Sequence, residues 1–369
     1  MKSSIRIVTI LVGLCLHELP AQDLTSNPVP RLLRLIKADD VRTAASASRT
    51  LGVIFAPGGK GGEEKPTVVT ALIDSLENST SGLVRRECAT ALGKIRAQSA
   101  LESLKKAMGD KDIEAAMAAG TAIAKVLPVD DAREFLKGIA EGETGSIKVA
   151  AYEGMVDLAK PADIEFLKAG IVSDNWRIQT SSIRGLERAV RSGGSITPAE
   201  YEQVGSVLGS TNGNASNAAH HFLSNIRNRE AVNAAIKVAD MRGDGSAEDT
   251  SWRARANAIR TIRRMDFPTN RTALPAVVRN LGDPTANVLN EALNLLNDLQ
   301  NRKLMHHDQL FPIYIAELEK AESLKLRTGI MKQIRRRIPN GYDSRIAKVA
   351  SKSLLDSIET PTEWALRSY

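Results

Sequence analysis

Apolar and small residues recur along the chain in a block of twelve, clearest in the segment 84–95, VRRECATALGKI. The block opens on an apolar or small residue. A small residue follows four places on, a large apolar one eight places on, and usually another after eleven. Started at Thr43, Val84, Ala115, Ile147, Ile178, Ala215, Ala254, Val288 and Leu326, the same template gives nine copies. The +4 residues are Ala47, Cys88, Ala119, Ala151, Ser182, Ala219, Ala258, Ala292 and Ile330, so eight of nine are small. The +8 residues are Leu51, Leu92, Ile123, Met155, Leu186, Leu223, Ile262, Leu296 and Ile334, all apolar. Positions 0, +4, +8 and +11 lie along one face of an α-helix, so each block predicts an amphipathic helix. Its small residue admits a neighbouring helix closely, and the large one fills the gap. Starts are 31 to 41 residues apart, the period of a solenoid rather than of separate domains.

A preceding helix completes each unit. The candidates are 30–37, 67–77, 100–108, 130–139, 162–171, 198–208, 229–239, 272–281 and 308–319. Turn signals separate them at Gly109-Asp110, Gly142, Ser173-Asp174, Gly209 and Gly282-Asp283-Pro284. Pro30, Pro66, Pro161 and Pro198 stand near helix starts, where the missing amide costs least. A last helix at 345–358 closes the final unit, and 360–369 reads as a loose tail.

The stretches DNWRIQTSSIRGL and TSWRARANAIRTI, and VRRECATALGKI followed by SALESLKKAMGDKD, resemble the HEAT-repeat family. There, an aspartate-rich turn leads into a helix opening Val-Arg or Trp-Arg. Arg85, Arg255 and Arg327 hold the +1 position, while Ala44, Ala116, Lys148, Gln179, Ser216 and Leu289 depart from it. The resemblance spans residues 30–358. It implies an all-α solenoid, a right-handed superhelix of about nine helix pairs whose second helices line a concave surface. It implies no activity, since such families mostly scaffold other macromolecules and fold alone does not give function.

Composition agrees: 43% hydrophobic but only 4% aromatic residues suit closely packed Ala, Leu, Ile and Val helices. Lys2 and Arg6 precede the apolar run 7–16, and Leu19-Pro20-Ala21 offers a cleavage point before Gln22. That run is too short to span a bilayer, which takes about 20 residues. The expected organisation is therefore a signal peptide at 1–21, a solenoid at 22–359 and the tail, with export to the periplasm or exterior. A lipoprotein anchored through Cys15 is the less favoured reading, because Leu14 stands where a small residue is wanted. Without the leader, Cys88 is the only cysteine, so no internal disulfide forms; its +4 position marks it as a core filler. Two insertions read as solvated loops. The first, 56–66, lacks the Lys-Ser/Thr of a phosphate loop because Gly61 follows Lys60. The second, 241–250, lacks the ligand spacing of a calcium loop.

Charge alters the picture at two places. The segment 22–190 has 23 basic and 23 acidic residues, whereas 191–369 has 25 against 19. Arg253, Arg255, Arg260, Arg263, Arg264, Arg271 and Arg279 meet only Asp266 in the segment 252–279, and a second cluster, containing Arg327 and Arg335, occupies 325–345; the two contain the second helices of the seventh and ninth repeats. Arg255 and Arg263 fall roughly on one helical face. Clustered bases favour an anionic partner: an acidic protein, an envelope polysaccharide or a lipid headgroup. Nucleic acid is disfavoured, because the second helix of neither cluster interleaves stacking aromatics apart from Trp252. Adjacent histidines, His220-His221 and His306-His307, project about 100° apart and cannot chelate one ion as an i, i+4 pair does. No nucleophile elbow or zinc-helix signature occurs. The expectation is thus an exported, non-catalytic scaffold without cofactor or metal that docks a partner, first of all a protein, on its concave face. The candidate contacts are Arg253, Arg255, Arg260, Arg263, Arg264, Arg327, Arg335, Trp176 and Trp252, the tryptophans reading equally well as packing beside turns. The other reading is an extracytoplasmic enzyme, or its accessory subunit, on the same repeats.

Overall fold

The computed structural model describes residues 27–59, 63, 65–241, 249, 251–265, 269–305, 307–321 and 324–337. The leader, Cys15, the helix expected at 345–358 and the tail lie outside them. Every regular element among the described residues is helical, and the α-helices form nine pairs. The pairs are α1 (Val29–Leu35) with α2 (Val41–Ile54), α3 (Lys65–Asn78) with α4 (Gly82–Ile95), and α5 (Leu101–Ala107) with α6 (Ile113–Val126). Then come α7 (Val129–Gly142) with α8 (Gly145–Met155), and α9 (Ile164–Ile171) with α10 (Trp176–Arg191). The remaining pairs are α11 (Pro198–Ser206) with α12 (Gly213–Ile226), α13 (Arg229–Ala239) with α14 (Trp252–Arg264), α15 (Leu274–Arg279) with α16 (Ala286–Asn301), and α17 (His307–Lys320) with α18 (Leu324–Arg337). Each second helix carries one copy of the block. The helix expected at 272–281 is split into α15 between two 3-10 turns, Thr269–Ala273 and Asn280–Gly282, with Pro275 in its first turn.

Short polar side chains start the second helices. Asp40 accepts from the Thr43 amide, Asp112 from Glu114 and Ala115, Asn175 from Arg177, and Asn212 from Asn214 and Ala215. Each satisfies amides that a helix start leaves without partners. Behind the caps, the template is buried as its period demands. All nine +4 residues and all nine +8 residues are inside, from Ala47 and Leu51 to Ile330 and Ile334.

The chain divides into two compact units, with the boundary between Ser192 and Gly193. In the first, α2, α4, α6 and α8 stack side by side through small residues. A Cβ on Gly52 would stand 2.7 Å from Ala91 Cα, and one on Gly93 2.7 Å from Ala122 Cα, so these backbones touch. Cys88 sits in this seam, its thiol 3.4 Å from Ser48 Oγ, and burial pushes its pKa up to about 12. A thiol reagent such as dithionitrobenzoate at pH 8 should therefore leave the native, leaderless chain unlabelled and titrate one thiol after denaturation. Labelling at the rate of a free thiol would contradict the seam.

Ser182, the +4 residue of α10, is buried with no hydrogen-bond partner for its hydroxyl among the described residues. The other copies mostly place Ala there. Ser182→Ala should raise the unfolding free energy by about 1 kcal/mol, read as a higher urea midpoint, because it removes a desolvated hydroxyl. A lower midpoint would show that the hydroxyl is bonded.

Candidate functional site

The +1 position of the block points inward. Arg85 lies against Asp110 from the next turn, Nε donating to Oδ2 at 2.6 Å and Nη2 to Oδ1 at 2.7 Å, while Nη1 reaches back to the Ser79 carbonyl at 2.8 Å. Arg255 repeats the arrangement in the second unit. Its Nε donates to Asp283 Oδ2 at 2.7 Å, and its Nη2 to Asp283 Oδ1 at 3.2 Å and Asp249 Oδ2 at 2.9 Å. Where +1 is not arginine, other polar groups make the same return. Gln179 donates to the Ile171 carbonyl at 2.8 Å and Ser216 to that of Leu208 at 3.0 Å. Arg327 donates through Nε to the Ala321 carbonyl at 2.7 Å. The +1 side chains of Arg85, Gln179, Ser216 and Arg327 therefore tie their second helices to the ends of their own first helices, and Arg85 and Arg255 reach the turn of the following repeat as well.

This corrects two sequence-based expectations. Arg255 is completely buried, so it faces no partner and does not share an exposed face with Arg263. Asp249, expected in a solvated loop, turns inward, because the buried guanidinium needs a second carboxylate. The hydrogen bond from Arg255, helped by one from Ser251, holds the Asp249 pKa down to about 2.

The other arginines of α14 are placed differently. Arg260 and Arg263 both pair with Glu291 of α16, at 3.0 and 3.3 Å, and Arg263 also approaches Asp298 at 3.6 Å. Arg279 is shared between Asp240 and Glu317. Four of the seven arginines of 252–279 are thus paired with acids outside that segment, leaving Arg253 and Arg264 exposed at the two ends of α14 and Arg271 exposed beyond it. Arg253 lies over the Trp252 ring at 5.4 Å, as Arg177 lies over Trp176 at 4.2 Å; both tryptophans open a second helix and are half-buried. Arg177 also reaches past the fourth repeat to Glu114 of α6, at 3.3 Å. Arg327 is half-buried, and the side chain of Arg335 lies outside the described residues.

A polar seam joins α12 to α14. His220 is buried, with Nδ1 2.9 Å from Thr261 Oγ1, and that hydroxyl donates to the Asn257 carbonyl at 2.7 Å. Asn257 in turn donates to Ser216 Oγ and to the Leu208 carbonyl, each at 2.9 Å. Burial, with lesser contributions from His221 and Arg264, Arg260 and Arg263, lowers the His220 pKa to about 4, so this ring is neutral at pH 7. His221, next in sequence, is exposed. Among the described residues no three His, Cys, Asp or Glu side chains converge as metal ligands would.

One feature escaped the charge-led reading. Helix α16, ANVLNEALNLLNDLQN, exposes Asn287, Asn290, Asn294, Asn297 and Asn301, while Val288, Ala292, Leu295, Leu296 and Leu299 are buried on the other side. The alternating spacing of three and four puts all five amides in one stripe. Three of the same template positions of α12 expose Asn214, Asn217 and His221, and two of those of α14 expose Arg253 and Arg260. Asn is a poor helix former, roughly 0.5 kcal/mol worse than Ala at each exposed position. The five in α16 therefore work against their own helix, which points to a role on the surface.

Residues 69–155 match the family model described as HEAT repeats. No curated protein matches the sequence. Among solved structures, the complex of CpcE and CpcF of phycocyanin lyase from Nostoc sp. PCC7120 is 17% identical, with 77% of this chain and 99% of that one covered, at a TM-score of 0.38. Human deoxyhypusine hydroxylase in complex with glycerol is 17% identical over 80% of this chain and 90% of that one, at 0.29. Kap95p bound to RanGDP is 13% identical over 95% of this chain and 49% of that one, at 0.49. At these scores none of the three transfers an activity to the present chain.

Proposed function

We propose that the chain is a HEAT-repeat protein that acts as an exported scaffold, docking a protein partner on exposed second-helix faces without chemistry of its own. The observation that carries this is the stacking of the first unit. The second helices α2, α4, α6, α8 and α10 lie side by side, and surface ion pairs join two of the neighbouring pairs, Arg49 of α2 to Glu87 of α4 at 2.9 Å and Arg184 of α10 to Glu153 of α8 at 3.2 Å. The resulting row mixes both signs of charge and includes half-buried Met117 and the Trp176–Arg177 stack. Met, Trp and Arg are the residue types enriched where proteins meet. Docking is rigid and multipoint: successive helices each offer one or two side chains to an extended partner. Export rests on Lys2, Arg6 and the apolar run that follows them. Among the described residues no helix is long and apolar enough to cross a membrane.

Two measurements test the proposal. Sequencing the N-terminus of the chain recovered from an envelope fraction should read from Gln22; an intact Met1 in the cytosol would sink the export reading. Affinity capture from envelope extract should lose its principal partner when Trp176→Ala is combined with Arg184→Glu, both on the surface of α10. A partner retained unchanged would remove this face from consideration.

A further inference from the structure

We infer that the exposed face of α12, α14 and α16 in the second unit is a docking site for a polyhydroxylated polymer, a polysaccharide. The side chains on it are amides, one imidazole and guanidinium groups: Asn217 and His221 on α12, Arg253 and Arg264 on α14, Asn290 and Asn294 on α16. An amide both donates and accepts, which matches the donor-and-acceptor character of vicinal hydroxyls. A protein partner would need an apolar centre to its interface, and these three helices expose no large apolar side chain there, half-buried Trp252 standing at the start of α14 away from the middle of the face. A polyanion would need a run of unneutralised bases, yet Arg260 and Arg263 are already satisfied by Glu291 and Asp298, which leaves α14 only Arg253 and Arg264, at its two ends.

Spacing favours the same class of ligand. Amides three or four residues apart on α16 recur about every 5 Å. An extended peptide presents the same edge only every 7 Å or so, and falls out of step after a few contacts. Sugar rings offer hydroxyls on every unit and need no such register. The platform is also fixed before binding. The His220–Thr261–Asn257–Ser216 seam locks α12 to α14, and Glu291 bridges α14 to α16, so little order remains to be imposed by the ligand.

The test is affinity electrophoresis of the full chain through gels containing dextran, xylan or polygalacturonate, which separates recognition of neutral hydroxyls from recognition of uronate carboxylates. At least one polymer should retard the protein. The double variant Asn290→Ala/Asn294→Ala should weaken that retardation about tenfold, the loss of two or more hydrogen bonds. Its thermal midpoint should hold or rise, because Ala is the better helix former. The proposal is overturned if no polymer retards the chain, or if the double variant is retarded as the parent is. It is also overturned if only polygalacturonate binds and does so independently of the asparagines, the mark of simple charge attraction. The protein-docking proposal concerns α10 of the other unit, so either can fail while the other stands.

Discussion

Arg255→Ala should destabilise the full chain by about 3–5 kcal/mol, seen as an early transition in urea unfolding monitored by circular dichroism. The guanidinium is buried between Asp249 and Asp283, whose side chains are themselves almost covered, at 5% and 6% exposure. Removing it leaves two carboxylates with little water and no counter-charge. The pH dependence distinguishes this from a simple cavity. Bonding to Arg255 depresses the Asp249 pKa to about 2 in the folded protein. The stabilisation is therefore complete above the ordinary unfolded value, about 3.9, and is lost as pH falls from there through about 2. In the variant the stranded Asp249 carboxylate is relieved by protonation, so the gap between parent and variant should narrow as pH drops. A gap of constant size from pH 7 to pH 3 would count against the ion-pair account. Adding Asp249→Asn and Asp283→Asn to the variant should recover part of the loss at neutral pH.

Gly120→Val carries the second large effect, about 3 kcal/mol of destabilisation or outright failure to fold. Gly120 is where α6 and α8 run backbone against backbone. A Cβ there would fall on the Ala150 carbonyl oxygen, and one on Gly154 would stand 2.7 Å from the Gly120 carbonyl oxygen. No rotamer relieves a clash between main chains, so the helices must separate and expose the Met155 and Ile123 layer behind them. Gly138→Ala is the matched control. Gly138 is an exposed residue of α7 with nothing within 4 Å of the added carbon, and the change should stabilise by about 1 kcal/mol. Equal effects from the two substitutions would show that the α6–α8 approach is looser than described.

The helix pairs were legible because burial imposes a period on the sequence. Ala119 and Ile123 recur as Ala219 and Leu223 for the same reason, the contact with neighbouring helices. What charge counting missed is that arginine can serve the interior as well as the surface. Arg255 and Arg260 look alike in composition, yet +1 lies against the neighbouring first helix and +6 faces outward. The sign was present in the chain: each buried +1 arginine has an aspartate in the turn before the next second helix, Asp110 for Arg85 and Asp283 for Arg255. The asparagine spacing of α16 was equally visible. It drew no weight because uncharged polar residues leave no mark on a charge profile, and only the exposure of all five amides together singles them out.

The inward arginine also bears on how far such a chain can be cut and respliced. Solenoid repeats are often regarded as interchangeable cassettes whose stabilities add with those of their neighbours. Here the donor of one bond sits in one cassette and its acceptor in the next. Excising the eighth repeat would take Asp283 and Glu291 with it, leaving Arg255 with Asp249 alone and Arg260 without its carboxylate. A viable splice has to carry the arginine and the following aspartate as a unit across the joint, so the natural building block runs from one second helix to the next turn.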